Sequence, residues 1–151
     1  MNSEDKRLLI FFLLSHHRPE KLHRTIRIGV HGRSLYLCAR CTGVGVGAVS
    51  IFAAFFAGFV PTFWLYLLLL GVLPVPATFD WVTQSCELRE SRNVIRIVTG
   101  YFLGIGWGLF FLSVVNGWLE LFLFALLIVG AYVFSIYAVA RKTNFLDQYL
   151  I

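Results

Sequence analysis

The chain has 151 residues, of which 58% are hydrophobic and only 14% charged. Soluble domains are about 45–50% apolar and about 25% charged, so this composition excludes an ordinary water-soluble globule and makes the bilayer the solvent of most side chains. The formal net charge of +5 would suggest a nucleic-acid partner in a soluble protein. Here the basic residues flank apolar stretches and are expected to meet anionic lipid headgroups, so nucleic acid is not an expected partner.

In chain order, Asn2, Ser3, Glu4 and Asp5 look like a helix cap and an acidic first turn before the apolar run at residues 8–14. That run is too short to span, and no small-residue cleavage site follows it, so an interfacial helix or packed arm is expected rather than a signal peptide. Residues 15–40 are polar and rich in His and Arg. Within them, residues 25–30 alternate apolar and polar, Leu35-Tyr36-Leu37 favours β structure, and His31-Gly32 suits a tight turn. The expectation is a short β-hairpin. An isolated hairpin is marginal in water, so the bilayer surface, the segment at 80–96 or a metal should hold it.

No charge falls between Arg40 and Asp80, an interval long enough for two spans of about 20 residues each. Pro61 sits at its midpoint, which gives spans at 41–59 and 61–79. Further uncharged intervals give spans at 97–115 and 118–140, joined by the turn signal Asn116-Gly117. Pro74 and Pro76 should break or kink the second span. Gly100, Gly104 and Gly108, with Gly106, make a stripe along the third span that lets another helix approach closely. Its partner is either the first span, with Gly43, Gly45 and Gly47, or a second copy of the chain, a homo-oligomer. The second and fourth spans are bulky and should face lipid.

With four spans, all 13 Lys and Arg residues fall on one side, the side that the positive-inside rule assigns to the cytoplasm. The expected fold is therefore an all-α, multi-pass protein of the cell membrane, with four transmembrane helices and both termini cytoplasmic. A head at residues 1–40 carries the hairpin, and residues 41–151 form the bundle with a cytoplasmic loop at 80–96.

Two constellations carry chemistry. Cys38-Ala39-Arg40-Cys41-Thr42-Gly43 has the spacing of a zinc knuckle, since two Cys three apart on a turn after a strand can reach one tetrahedral metal. Two further ligands are needed, from Cys86, His16, His17, His23 and His31; His16 and Cys86 complete the favoured set. The same pair at a helix start beside Arg40 also suits thiol redox chemistry, or simply two packed cysteines. The second constellation is the segment at 80–96. Asp80 and Gln84 share a helix face, and Arg89, Arg92, Asn93 and Arg96 follow. An acid, two amides and several guanidiniums at a membrane boundary could bind a lipid-linked phosphate or headgroup, with Asp80 as the catalytic acid or base. Equally, Asp80 could pair with Arg96 or Arg92 to close the bundle.

The order His16…Pro19-Glu20, Cys38-Ala39-Arg40-Cys41-Thr42-Gly43, Asp80…Gln84 and Arg89-Glu90-Ser91…Asn93…Arg96…Thr99-Gly100…Gly104 resembles a prokaryotic family of predicted membrane proteins catalogued as a domain of unknown function. The resemblance runs from about Ser15 to the end of the third span and implies the topology and the choice of residues, but no activity. Family members usually begin the first motif with Cys-His; Ser15 stands at that Cys here, so a ligand set that used it would need His17 or Cys86 instead. The acid…Gln…Arg…Asn…Gly pattern is also similar to VanZ-like membrane proteins. The leading expectation is a membrane protein with a cytoplasmic Cys/His metal site, zinc by preference. The alternative is an enzyme or binder acting on a lipid-linked phosphate, and a third is a small transporter or complex subunit.

Overall fold

The structure is a computed structural model that describes residues 24–30, 33–86 and 88–143. The alternating segment forms strand β1 (Thr25–Val30), antiparallel to β2 (Arg33–Cys38). Thr25 lies opposite Cys38 and Val30 opposite Arg33. The expected turn at His31-Gly32 itself lies outside the described residues, as do the apolar run at 8–14, His16, His17 and His23.

The hairpin runs straight into helix α1 (Ala39–Phe56), with Cys38 as its N-cap residue. The helix starts before the predicted Cys41 and stops short of the predicted Phe59. Its end is set by Gly58, whose φ of 94° is open to glycine at no steric cost. The Phe59 and Gly58 amides turn back onto the carbonyls of Ala54 and Phe55, each at 2.9 Å, satisfying the last turn.

The second span is two helices in line, α2 (Phe63–Val72) and α3 (Val75–Ser85). Pro74 and Pro76 have no N–H to donate, and the ladder is interrupted at Leu73 and Pro74, between α2 and α3, as expected. The Tyr132 hydroxyl donates to the Gly71 carbonyl beside this break. In a bilayer, a carbonyl freed from its ladder needs such a protein partner.

Helix α4 (Asn93–Val115) follows, then α5 (Leu119–Lys142). Among the described residues, four helical stretches are long and apolar enough to cross a membrane: Ala39–Phe56, Phe63–Ser85, Asn93–Val115 and Leu119–Lys142. α4 is the central one, with 44% of its apolar window buried against 6% for α5, whose bulky surface is left to lipid. The turn after α4 places Gly117 at φ 65°, as the Asn116-Gly117 signal predicts.

Glycines decide how α1 and α4 meet. A methyl group on Gly43 or Gly47 would collide with the carbonyl of Ile97 or Tyr101, and one on Gly100 or Gly104 with the carbonyl of Arg40 or Val44. On Gly108 it would strike the Ile51 side chain. The stripe of Gly100, Gly104 and Gly108 is therefore filled by α1 of the same chain, which is the intrachain alternative. Two glycines depart from the expected pattern: Gly45 faces open space, and Gly106 faces Pro74. Below this seam, Ile51, Tyr66, Leu70, Leu109, Leu112 and Ala125 form the buried apolar core, and the Tyr66 hydroxyl donates to the Leu109 carbonyl.

Candidate functional site

An even number of spans separates Arg40 from Asp80 and Asp80 from Arg141, so the start of α1, the end of α3 and the start of α4 converge at one membrane boundary. Asp80 lies on the last turns of α3 and is 1% exposed. Arg40, from the first turn of α1, donates from Nη2 to Asp80 Oδ2. Arg89, in the connection after α3, donates from Nη2 to Asp80 Oδ1 at 2.9 Å. Gln84, one helical turn on, donates to Oδ2 at 2.8 Å. Both carboxylate oxygens are thus occupied, one by a guanidinium and the other by a guanidinium and an amide.

A second tier holds these partners. Arg89 Nε donates to Thr83 Oγ1 at 3.1 Å. Gln84 offers its Oε1 to Nη2 of Arg96, which is 4% exposed and also donates from Nε to the Ser91 carbonyl at 3.2 Å. Asn93 Nδ2 donates to the Thr25 carbonyl at 3.2 Å, and Arg24 pairs with Glu90 at 3.3 Å. These two links clamp the hairpin onto the segment after α3, which was one of the three supports expected for it.

The predicted site residues separate cleanly. Asp80, Gln84, Arg89 and Arg96 form one hydrogen-bonded network, and Asn93 ties the hairpin to its edge. Arg92 is exposed at the N-cap of α4, outside those hydrogen bonds. The ion pair expected between Asp80 and Arg96 or Arg92 is replaced by pairs to Arg40 and Arg89; Arg96 reaches Asp80 only through Gln84. Arg40, Arg24, Thr83 and Ser91 belong to the assembly although sequence reasoning did not select them. A signal for Arg40 existed. It and Asp80 bracket one uncharged two-span interval, and a two-span hairpin returns both ends to the same boundary.

The cysteines form a separate feature. Cys38 is buried and Cys41 exposed; neither is in a disulfide, and a side-chain hydrogen bond joins them. Cys86, at the end of α3, is exposed. Among the described residues no three His, Cys, Asp or Glu side chains are gathered closely enough to hold a metal. Cys86, at the C-cap of α3, is therefore not gathered with the Cys38–Cys41 pair. His16 lies outside the described residues.

Among the described residues the network is electrostatically lopsided. Arg24, Arg40, Arg89 and Arg96 face the carboxylates of Asp80 and Glu90, and Arg24 and Arg40 are close enough to Arg96 for their like charges to act on it. Nε of Arg24 and Nε of Arg40 are buried with no acceptor among the described residues. Buried donors normally have partners, and fork-shaped guanidiniums match carboxylate and phosphate oxygens. The arrangement can hold an anion with planar or tetrahedral oxygens.

Comparison with known proteins agrees with the architecture. A family model described as Predicted membrane protein (DUF2085) matches residues 16–110, a stretch that includes the hairpin, α1 to α3 and most of α4. An uncharacterized protein of Methanothermobacter thermautotrophicus is 34% identical over 96 residues, covering 64% of this chain and 82% of that one. An uncharacterized protein of Methanocaldococcus jannaschii is 28% identical over 101 residues, covering 63% of this chain and 59% of that one. The likeness to VanZ proteins finds no support in these matches. No solved structure matches the chain.

Proposed function

The chain belongs to this predicted-membrane-protein family and is a multi-pass membrane protein, and we propose that its arginine network binds the phosphate or carboxylate of an anionic ligand at the cytoplasmic boundary of the membrane. The observation that carries this reading is the excess of guanidiniums around Asp80, with buried Nε donors of Arg24 and Arg40 left without acceptors among the described residues. A structural ion pair alone needs one guanidinium per carboxylate. Asp80, with both oxygens engaged, is assigned to positioning: it aims Arg40 and Arg89 rather than taking a proton from a substrate. The test is calorimetric titration of the full chain in detergent with inorganic phosphate at fixed ionic strength. Arg24→Gln removes a donor without leaving Asp80 unpaired, and should weaken phosphate binding about tenfold or more, the worth of one charge-assisted hydrogen bond. Equal affinity in both proteins, or no binding to either, would remove the proposal.

A second reading places zinc at Cys38 and Cys41. It is favoured by the adjacency of the two thiols, hydrogen-bonded to each other at a helix start, which supplies half of a tetrahedral set. His16 would be the next donor to test, since Cys86 is not gathered with the pair. Elemental mass spectrometry of the purified full chain should then find about one zinc per chain, lost in the Cys38→Ser/Cys41→Ser variant. Metal-free wild type prepared without chelator would end this reading.

A further inference from the structure

An apolar cavity of about 220 Å³ adjoins the arginine network. It lies between the broken second span, α4 and α5, and its walls include Trp81, Leu103, Trp107, Val129 and Ile136. Gly106 and Pro74 also border it, and the absence of a side chain at Gly106, whose missing Cβ would sit 3.3 Å from Pro74 Cγ, helps to keep it open. Its hydroxyl groups are already engaged: Thr78 Oγ1 donates to the Pro74 carbonyl at 3.1 Å and Tyr132 to Gly71. Among the described residues, Arg40 is the one charged residue in its lining. The same guanidinium holds Asp80 on the network side.

A space with so little free hydrogen-bonding capacity favours hydrocarbon over water, and its charged border favours an anion. We infer that the ligand is an amphiphile: its anionic group sits on the arginine network and one alkyl or isoprenoid chain lies in the cavity between Pro74 and α5. The inference rests on the proposed anion site, to which it adds the chemical class of the ligand. Arg40 is the point of junction, with the head on one side and the first methylenes on the other. The shared chemistry is an anionic head on a single apolar chain, whether that chain belongs to a bilayer phospholipid or to a lipid-linked phosphate intermediate.

The experiment titrates the full chain, purified in a bulky sterol-based detergent that cannot thread the cavity, with dodecyl phosphate, inorganic phosphate and dodecanol. Dodecyl phosphate should bind at least about tenfold tighter than inorganic phosphate, the factor expected when only about two methylenes leave water. Val129→Trp fills the cavity from α5 and should bring dodecyl phosphate down to the affinity of inorganic phosphate, whose own binding stays unchanged. Thr78→Leu fills the same space from α3 and serves if the first variant fails to fold. If dodecyl phosphate and inorganic phosphate bind equally, and neither filling variant alters this, the inference is overturned while the anion site stands. If dodecanol binds as well as dodecyl phosphate and inorganic phosphate does not bind, the anion site fails and with it the amphiphile. Should dodecyl phosphate bind tightly and be indifferent to both fillers, the chain lies elsewhere and the inference is again overturned. With the inference upheld, vesicles of phosphatidic acid compared with an isoprenyl phosphate then separate the two sources.

Discussion

Asp80 is the residue on which the account turns. Its carboxylate is removed from water and compensated by Arg40, Arg89 and Gln84. Breaking a buried pair by removing one partner costs about 3–5 kcal/mol, chiefly because the other charge is left unpaired. Asp80→Asn should therefore lower stability by about 3 kcal/mol or more, read as a fall in unfolding temperature in detergent. Combining it with Arg40→Gln should cost less than the sum of the two single changes, since the two residues share one interaction; simple additivity would show that they do not. Sequence reasoning reached Asp80, Gln84, Arg89 and Arg96 because acid, amide and guanidinium recur there at helical spacing. It read Arg40 as a flanking charge and as a positive neighbour of the cysteine pair, not as a partner of Asp80, because that partner lies two spans away and no local pattern records a contact at that separation. Arg24 escaped for the same reason.

At the scale of elements, helix boundaries differed from expectation in one consistent direction at the arginine network. A span was expected to stop at the nearest charge, yet α1 begins before Arg40, α3 continues past Asp80 to Ser85, and α4 starts at Asn93 ahead of Arg96. Charges end spans when water must solvate them. These three have protein partners instead, Arg40 and Asp80 in each other and Arg96 in Gln84 and the Ser91 carbonyl, so the helices run on. The opposite error came at Gly58, where positive φ stops α1 before Phe59. The close approach of α1 and α4 was legible from the glycine spacing, but which glycines face the seam was not, because two helices of similar composition can be rotated against each other. The seam gives a paired prediction. Gly104→Ala forces a methyl into the Val44 backbone and should destabilise by about 1–3 kcal/mol. Gly45→Ala meets nothing and should be neutral or gain up to about 1 kcal/mol from helix propensity. Thermal unfolding of the two variants side by side checks this, and similar losses in both would mean that the seam is packed otherwise.

For the molecule as a whole, composition and the placement of basic residues predicted four spans, and the structure has four helical stretches able to cross a membrane. The convergence of Arg40, Asp80, Arg89 and Arg96 on one boundary is what the positive-inside rule implies, because those residues lie at ends of spans that face the same side. A periplasmic-type reporter should therefore be active when fused at Asn116 and silent when fused at Arg141; the reverse pattern would invert the molecule and place the arginine network outside. The cavity beside Pro74 was not legible. It depends on how the two halves of a broken span lie against α4 and α5, which no periodicity encodes.

The central claim is that the arginine network binds an anionic oxygen group, and unfolding of the purified full chain tests it most directly. A ligand that binds only the folded state stabilises it by an amount set by its concentration over Kd, about 2.7 kcal/mol at a hundredfold excess. The account predicts that phosphate raises the unfolding temperature above that in chloride of matched ionic strength, and that Arg24→Gln removes about half of the difference or more. An unfolding temperature that tracks ionic strength alone, the same in phosphate and chloride and in both proteins, would contradict it.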